Sequence, residues 1–214
     1  MISKLHYITQ EMIDFTHSQL AEEVCKGGAD WIQLRVKNKS KDQFLKIALE
    51  TQMICKKYNA KLIINDNVEI AKEINADGVH LGKTDLHPAK ARDILGKNFI
   101  IGCSANTYED ILYLSSYKID YIGLGPYRFT LTKENISPVI GLEGYGKIIN
   151  KCKNAEISIP VIVIGGINFN DIDILLEKGI YGVAISSAIN FAKNKQTQTK
   201  KIINKINKFG YAKP

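Results

Sequence analysis

Gln33, Arg35 and Lys37 alternate with Leu34 and Val36. In an extended strand that period of two puts an amide and two cations on one side. Such a set suits a polyanion, since Arg offers a planar fork to phosphate oxygens and Lys a compact point charge. Two carboxylates follow further along, Asp66 in Asn65-Asp66 and Asp85 in Gly82-Lys83-Thr84-Asp85. Mg²⁺ takes a few carboxylates together with substrate phosphate oxygens and water, so the pair facing bound diphosphate would make a Mg²⁺ site. Each acid also has a plainer role, Asp66 as the cap of a helix over 68–74 and Asp85 as a cap ahead of Pro88. Ser104, in Gly102-Cys103-Ser104-Ala105-Asn106-Thr107, could bind substrate or cap a helix, although Thr107 suits the cap better. Nothing in the sequence sets a His or an acid beside Ser104 or Cys103, so a nucleophile–base pair has no support. His6, His17, His80 and His87 form no ligand cluster, and His80 reads as a core or lining residue. A second anion pocket is expected from Gly165-Gly166 and from Ser186-Ser187, as backbone N–H groups and a helix start can cradle a phosphate. The long segment from Tyr127 to Gly141 carries Arg128, Thr130, Thr132 and Lys133, donors suited to closing over phosphates.

The elements that must position these residues are legible as short β-rich runs alternating with amphipathic stretches. The runs are Leu5–Thr9, Trp31–Arg35, Lys61–Asn65, Gly78–Leu81, Phe99–Cys103, Tyr121–Gly125, Val161–Ile164 and Gly182–Ile185. Several are continuously apolar, as strands buried on both faces are. Between them lie segments such as Lys41–Tyr58, with Phe44, Leu45, Ala48, Leu49, Met53 and Ile54 along one side. The pattern fits a single (β/α)₈ barrel over 1–214, with a doubly wound open sheet as the alternative that periodicity does not exclude. Internal echoes favour the barrel: residues 28–34 (GADWIQL) recur as 75–81 (NADGVHL), with looser copies at 119–124 and 179–184. All the polar groups above then close strands at their C-terminal ends, where barrels do their chemistry. Two anion pockets, one metal-assisted and one metal-free, point to joining or exchanging two phosphorylated small molecules.

The chain has 214 residues with 29 basic and 22 acidic side chains, 45% hydrophobic residues and four cysteines. That apolar share excludes a disordered protein, and the longest apolar stretch, Pro160 to Ile167, is far short of a membrane span. Seven lysines and no acid lie in 193–214, so the rest of the chain balances at 22 basic and 22 acidic residues. With Ile202, Ile203, Ile206 and Phe209 at helical spacing, that segment is expected to be an amphipathic helix at about 193–209 with a solvated lysine face. No recognition motif accompanies the charge, so no nucleic-acid partner is expected. No signal peptide is expected, and Cys25, Cys55, Cys103 and Cys152 read as buried thiols of a cytoplasmic protein. A homo-oligomer is compatible with the sequence, which sets no stoichiometry.

Taken in order and spacing, these motifs resemble thiamine-phosphate synthase, also called thiamine-phosphate pyrophosphorylase, over nearly the whole chain. The resemblance rests on residues 33–37 (QLRVK), 64–66 (IND), 78–82 (GVHLG) with Asp85, 102–105 (GCSA), 123–126 (GLGP) with Thr130, Thr132 and Lys133, 165–167 (GGI) and 186–189 (SSAI). It implies a (β/α)₈ barrel joining 4-amino-2-methyl-5-hydroxymethylpyrimidine diphosphate to 4-methyl-5-(2-phosphoethyl)thiazole, giving thiamine phosphate and diphosphate. It also implies that Gln33, Arg35, Lys37, Asn65, Ser104 and Lys133 contact the pyrimidine diphosphate, with Arg35, Lys37, Ser104 and Lys133 carrying the catalysis. Asp66 and Asp85 would hold Mg²⁺, and Thr130, Thr132, Gly165, Gly166, Ser186 and Ser187 would receive the thiazole phosphate. Tyr127-Arg128-Phe129, Asn106 and Val36 depart from the family's commoner residues. A related barrel family, the thiazole tautomerases, generally lacks the paired carboxylates, and the want of a clear catalytic His also speaks against it here. A non-catalytic thiazole-phosphate-binding paralogue is the third alternative.

Overall fold

The computed structural model describes residues 1–129 and 138–211, the side chains of 210 and 211 excepted. Eight parallel strands close in sequence order into a barrel: β1 (Leu5–Ile8), β2 (Trp31–Leu34), β3 (Lys61–Asn65), β4 (Gly78–Leu81), β5 (Ile100–Ala105), β6 (Tyr121–Leu124), β7 (Val161–Ile164) and β8 (Gly182–Ile185). The ring is completed by β1 pairing with β8, Leu5 opposite Val183. The open sheet is thereby excluded. The intervening helices are α1 (His17–Lys26), α2 (Lys41–Lys57), α3 (Val68–Glu73), α4 (Pro88–Leu95), α5 (Tyr108–Ser115), α6 (Gly141–Asn154) and α7 (Ile172–Glu177), with a short α8 (Ser187–Asn190) and the terminal α9 (Lys195–Tyr211).

The helix starts follow local side-chain chemistry. Thr16, Ser40 and Thr107 each accept a hydrogen bond from the backbone N–H three residues on, and each belongs to a reciprocal capping box. The cap of α3 is Asn67 and that of α4 is His87. Neither Asp66 nor Asp85 serves that role, so the plainer reading of both acids is removed.

Two cores share the strands. Outward side chains such as Ile32, Leu62, Val79 and Ile122 pack under the helices, and the inward set includes Ile8, Trp31, Ile63, Tyr121, Ile162 and Ala184. His6 stacks on Trp31 with centroids 4.2 Å apart, and Trp31 meets Tyr121 edge-on at 5.6 Å. These rings fill the barrel as interior layers do. Two glycines make room for them: a Cβ on Gly102 would stand 2.1 Å from the Tyr121 ring, and one on Gly123 would stand 2.9 Å from His80.

The terminal helix α9 buries Ile202 and Ile206 fully against the body and touches α1, α7 and α8. Its lysine face is less uniform than expected. Lys195 is buried with Nζ 4.3 Å from the Phe15 ring centre. Lys205 pairs with Asp173 at 3.0 Å and covers the Phe169 ring. Lys200, Lys201 and Lys208 are exposed.

Candidate functional site

Strand register brings the polar strand ends together. Asn65 stands opposite His80, His80 opposite Gly102, and Ser104 opposite Gly123. Gln33 Nε2 donates to Asn65 Oδ1 at 2.6 Å, and Lys37 Nζ donates to Asp66 Oδ2 at 2.6 Å. Asp66 and Asp85 lie within hydrogen-bonding reach of each other. Gly82 N–H donates to Asp85 Oδ2 at 2.6 Å. Burial and the shared bond with Asp66 push Asp85 up, against the pull of Gly82 N–H. Burial acts on Asp66 in the same upward direction, but the bonds from Lys37 and Asp85 outweigh it and hold Asp66 down. The two acids therefore shift in opposite directions, Asp66 down and Asp85 up. Asp66 adopts φ 66°, a left-handed conformation that costs a non-glycine residue about 1–2 kcal/mol. Among the described residues no group of three or more His, Cys, Asp or Glu side chains could hold a metal. Two hard oxygen donors with a supporting lysine nonetheless suit Mg²⁺, which fills its remaining positions with substrate phosphate and water.

Ser104 has a neighbour that sequence reasoning missed. His80 Nε2 lies 3.0 Å from Ser104 Oγ, and His80 Nδ1 lies 2.9 Å from the hydroxyl of the fully buried Tyr121. The expectation that no histidine stands beside Ser104 is therefore corrected. The contact depends on the β4–β5–β6 register, and the only trace in the sequence is the inward alternation of Gly78 and His80 on one strand.

A second cavity, about 60 Å³, is lined by Thr9, Gln10, Arg35, Gly165, Gly166, Ser186 and Ser187 among others. Gly165 and Gly166 take φ 100° and 69°, and a Cβ on Gly165 would meet Pro126 Cβ at 2.7 Å. Only glycine serves there, for handedness and for space. Arg35 follows the last residue of β2 and faces this cavity, so it borders the second pocket rather than belonging to the diphosphate side alone. Thr9, whose Oγ1 accepts from Arg35 N–H at 3.1 Å and lies 2.8 Å from His17 Nδ1, is a further lining residue the sequence did not flag.

The departures from the commoner family residues have structural partners. Arg128 donates both guanidinium ends to the Asp171 carboxylate and a further bond to Gly166 O at 3.2 Å. It thereby ties the β6 loop to the glycine turn after β7. Tyr127 is buried against Tyr145, Asn106 donates to Gly125 O, and Val36 packs in the outer core. Thr130, Thr132 and Lys133 lie outside the described residues.

Comparison with known proteins agrees with this architecture. The family model described as thiamine monophosphate synthase matches residues 5–189. The chain is 46% identical over 201 residues to the thiamine-phosphate synthase of Phocaeicola vulgatus, covering 94% of this chain and 97% of that one. It is 46% identical over 207 residues to that of Flavobacterium johnsoniae, covering 96% and 97%. The solved thiamine phosphate pyrophosphorylase of Pyrococcus furiosus superposes with a TM-score of 0.85 at 31% identity, covering 96% of each chain. By the extent of these matches, the chain belongs to the thiamine monophosphate synthase family of transferase enzymes.

Proposed function

We propose that this enzyme condenses 4-amino-2-methyl-5-hydroxymethylpyrimidine diphosphate with 4-methyl-5-(2-phosphoethyl)thiazole, releasing diphosphate and forming thiamine phosphate. The observation that carries this reading is the carboxylate pair Asp66/Asp85 beside Lys37, with a separate cavity bordered by Arg35 and lined by Gly165, Gly166, Ser186 and Ser187. Two anion sites of different chemistry are what two differently phosphorylated reactants need. When bound at Asp66 and Asp85, Mg²⁺ would neutralise charge on the leaving diphosphate.

The protein's own groups would do the rest. Lys37 and Arg35 meet the growing negative charge on the leaving group, joined by Lys133 from the β6 loop. The Gln33–Asn65 pair orients amide groups toward the aminopyrimidine ring. Ser104, braced by His80, contacts the same ring. The electron-rich ring stabilises the cationic methylene, and the thiazole nitrogen attacks it without an enzymic nucleophile. Holding both reactants in line supplies much of the rate. Gly165, Gly166, Ser186 and Ser187, with Thr130 and Thr132, would hold the thiazole phosphate.

The test is a coupling assay with both substrates, with and without Mg²⁺, following thiamine phosphate by chromatography. Mg²⁺-dependent product is the expected result, and a folded protein that makes none would overturn the proposal. The His80–Ser104 contact favours a second reading, a thiazole tautomerase, because it supplies the histidine that the sequence did not. Conversion of a thiazole phosphate tautomer in the absence of pyrimidine diphosphate would support that reading instead. A cytoplasmic setting is proposed as well. Among the described residues no helix is long and apolar enough to cross a membrane, and the four cysteines are free and buried.

A further inference from the structure

Ser186 follows β8 and precedes α8, where a serine ordinarily caps a helix by accepting from a first-turn N–H. It makes no cap bond. Its hydroxyl accepts instead from Asn190 Nδ2 at 3.0 Å and donates to Gln10 Oε1 at 3.1 Å. Asn190 is fully buried, and its Oδ1 accepts from the hydroxyl of Tyr7, which is also fully buried. Burial pushes the Tyr7 phenol far above its ordinary range, against the smaller pull of its bond to Asn190. That hydroxyl therefore always carries a proton to give.

Direction propagates along this chain of bonds. A carboxamide has one accepting end and one donating end. With the accepting end on Tyr7, the donating end of Asn190 faces Ser186. With a lone pair of Ser186 so filled, its own proton points to the cavity side, where Gln10 Oε1 takes it. A phosphate oxygen is a stronger acceptor than an amide carbonyl, so an entering phosphomonoester would draw that proton away from Gln10. The reverse amide orientation would turn the Ser186 lone pairs toward an anion and repel it. In that orientation the buried Tyr7 hydroxyl would face an N–H and lose the acceptor for its proton, a cost that disfavours it.

We propose that Tyr7 and Asn190 are positioning residues that hold the Ser186 hydroxyl as a donor toward the phosphate of the acceptor substrate, with Gln10 as the acceptor that the phosphate displaces. This rests on the reading that the cavity takes the thiazole phosphate.

Tyr7→Phe keeps the ring and removes the hydroxyl. Calorimetry on the full chain would compare 4-methyl-5-(2-phosphoethyl)thiazole with the corresponding alcohol, 4-methyl-5-(2-hydroxyethyl)thiazole, alongside steady-state KM values for both substrates. The affinity for the phosphate is expected to fall roughly tenfold, the scale of one hydrogen bond to a charged group. The affinity for the alcohol and the KM for the pyrimidine diphosphate should stay within about twofold, since neither touches Ser186 by this account. In a Ser186→Ala background the Tyr7→Phe effect should vanish, because Tyr7 acts through that hydroxyl. Asn190→Leu removes the whole amide and is expected to give a selective loss of the same sign, which covers the case of a Tyr7 variant that does not fold. Equal loss for phosphate and alcohol, an undiminished effect in the Ser186→Ala background, or no loss in either folded variant would overturn the inference. The coupling reading fails separately. A wild type that forms no thiamine phosphate yet binds the thiazole phosphate in a Tyr7-dependent way would sink that reading and leave this one standing.

Discussion

Asp66 follows β3, Asp85 lies in the loop after β4, and each acts on the other's carboxyl, Asp66 being held down and Asp85 pushed up. A divalent cation held by both would offset their mutual repulsion. Asp85→Asn should lower Mg²⁺-dependent coupling by more than roughly 100-fold, beyond the loss typical of removing a ligand's supporting partner. The Mg²⁺ concentration for half-maximal rate should rise with it, and a titration of rate against Mg²⁺ checks both. His6 gives a prediction on stability. Burial, then the neighbouring His80, lowers its pKa to about 3 from 6.5, with the Ser3 carbonyl opposing. Between those values the unfolded chain binds a proton that folded His6 refuses. Its contribution is therefore complete above the unfolded value and is lost as pH falls, at about 1.4 kcal/mol per unit. His6→Phe keeps an aromatic ring against Trp31 and should remove about 3 kcal/mol of the stability gap between pH 7 and pH 4.5. Urea denaturation at the two pH values measures the gap.

Elements act here through the ties between their loops. The Arg128–Asp171 pair joins the β6 loop to the short helical turn that follows the Gly165-Gly166 segment. Burial alone would raise Asp171, yet Arg128, the Asn168 N–H and Lys205 hold it below the usual carboxylate range. A depressed carboxyl stabilises the fold above its unfolded pKa, and that share is lost as pH falls through the folded value. Asp171→Asn should cost about 1–2 kcal/mol at pH 7, discounted because Arg128 is half-exposed, and less at pH 3. Thermal unfolding at both pH values would register the difference, and an equal cost at each would refute the pairing. Helix α9 is tied down by Ile202 and Ile206, with Lys195 and Lys205 lying over aromatic rings. Replacing the exposed Lys200, Lys201 and Lys208 with Gln should leave turnover within about twofold, because outward charges are screened within a Debye length. A large loss in the coupling assay would show that the charged face reaches the site.

Over the whole molecule, the closed barrel sets two braced serines on its C-terminal side. Ser104 leans on His80 and the buried Tyr121, and Ser186 on Asn190 and the buried Tyr7. In each case a buried phenol, Tyr121 inside the barrel and Tyr7 beneath the helices, stands behind the serine at the far end of a chain of polar contacts. The same burial governs the cysteines. It pushes Cys25 and Cys103 up to about 12 and raises Cys55 and Cys152 as well. Reaction with a thiol reagent should be negligible in the native protein and reach four equivalents only after denaturation.

By itself the sequence determined the alternation of elements. Short β-branched runs such as Val161–Ile164, bounded by Pro160 and Gly165-Gly166, fit strands buried on both faces, and Ser40 and Thr107 announce helix starts through their own side chains. It also placed Gln33, Lys37, Asp66 and Asp85 at strand ends, because a period of two and a turn residue are local properties. The rest needed the closed ring. The side chains of His80 and Ser104 meet only when β4, β5 and β6 take their register, and Tyr7 reaches Asn190 only because β8 returns beside β1. Residues 183 positions apart share no local pattern. Closure of the sheet decides which of them touch, and so which hydroxyl proton points into a pocket.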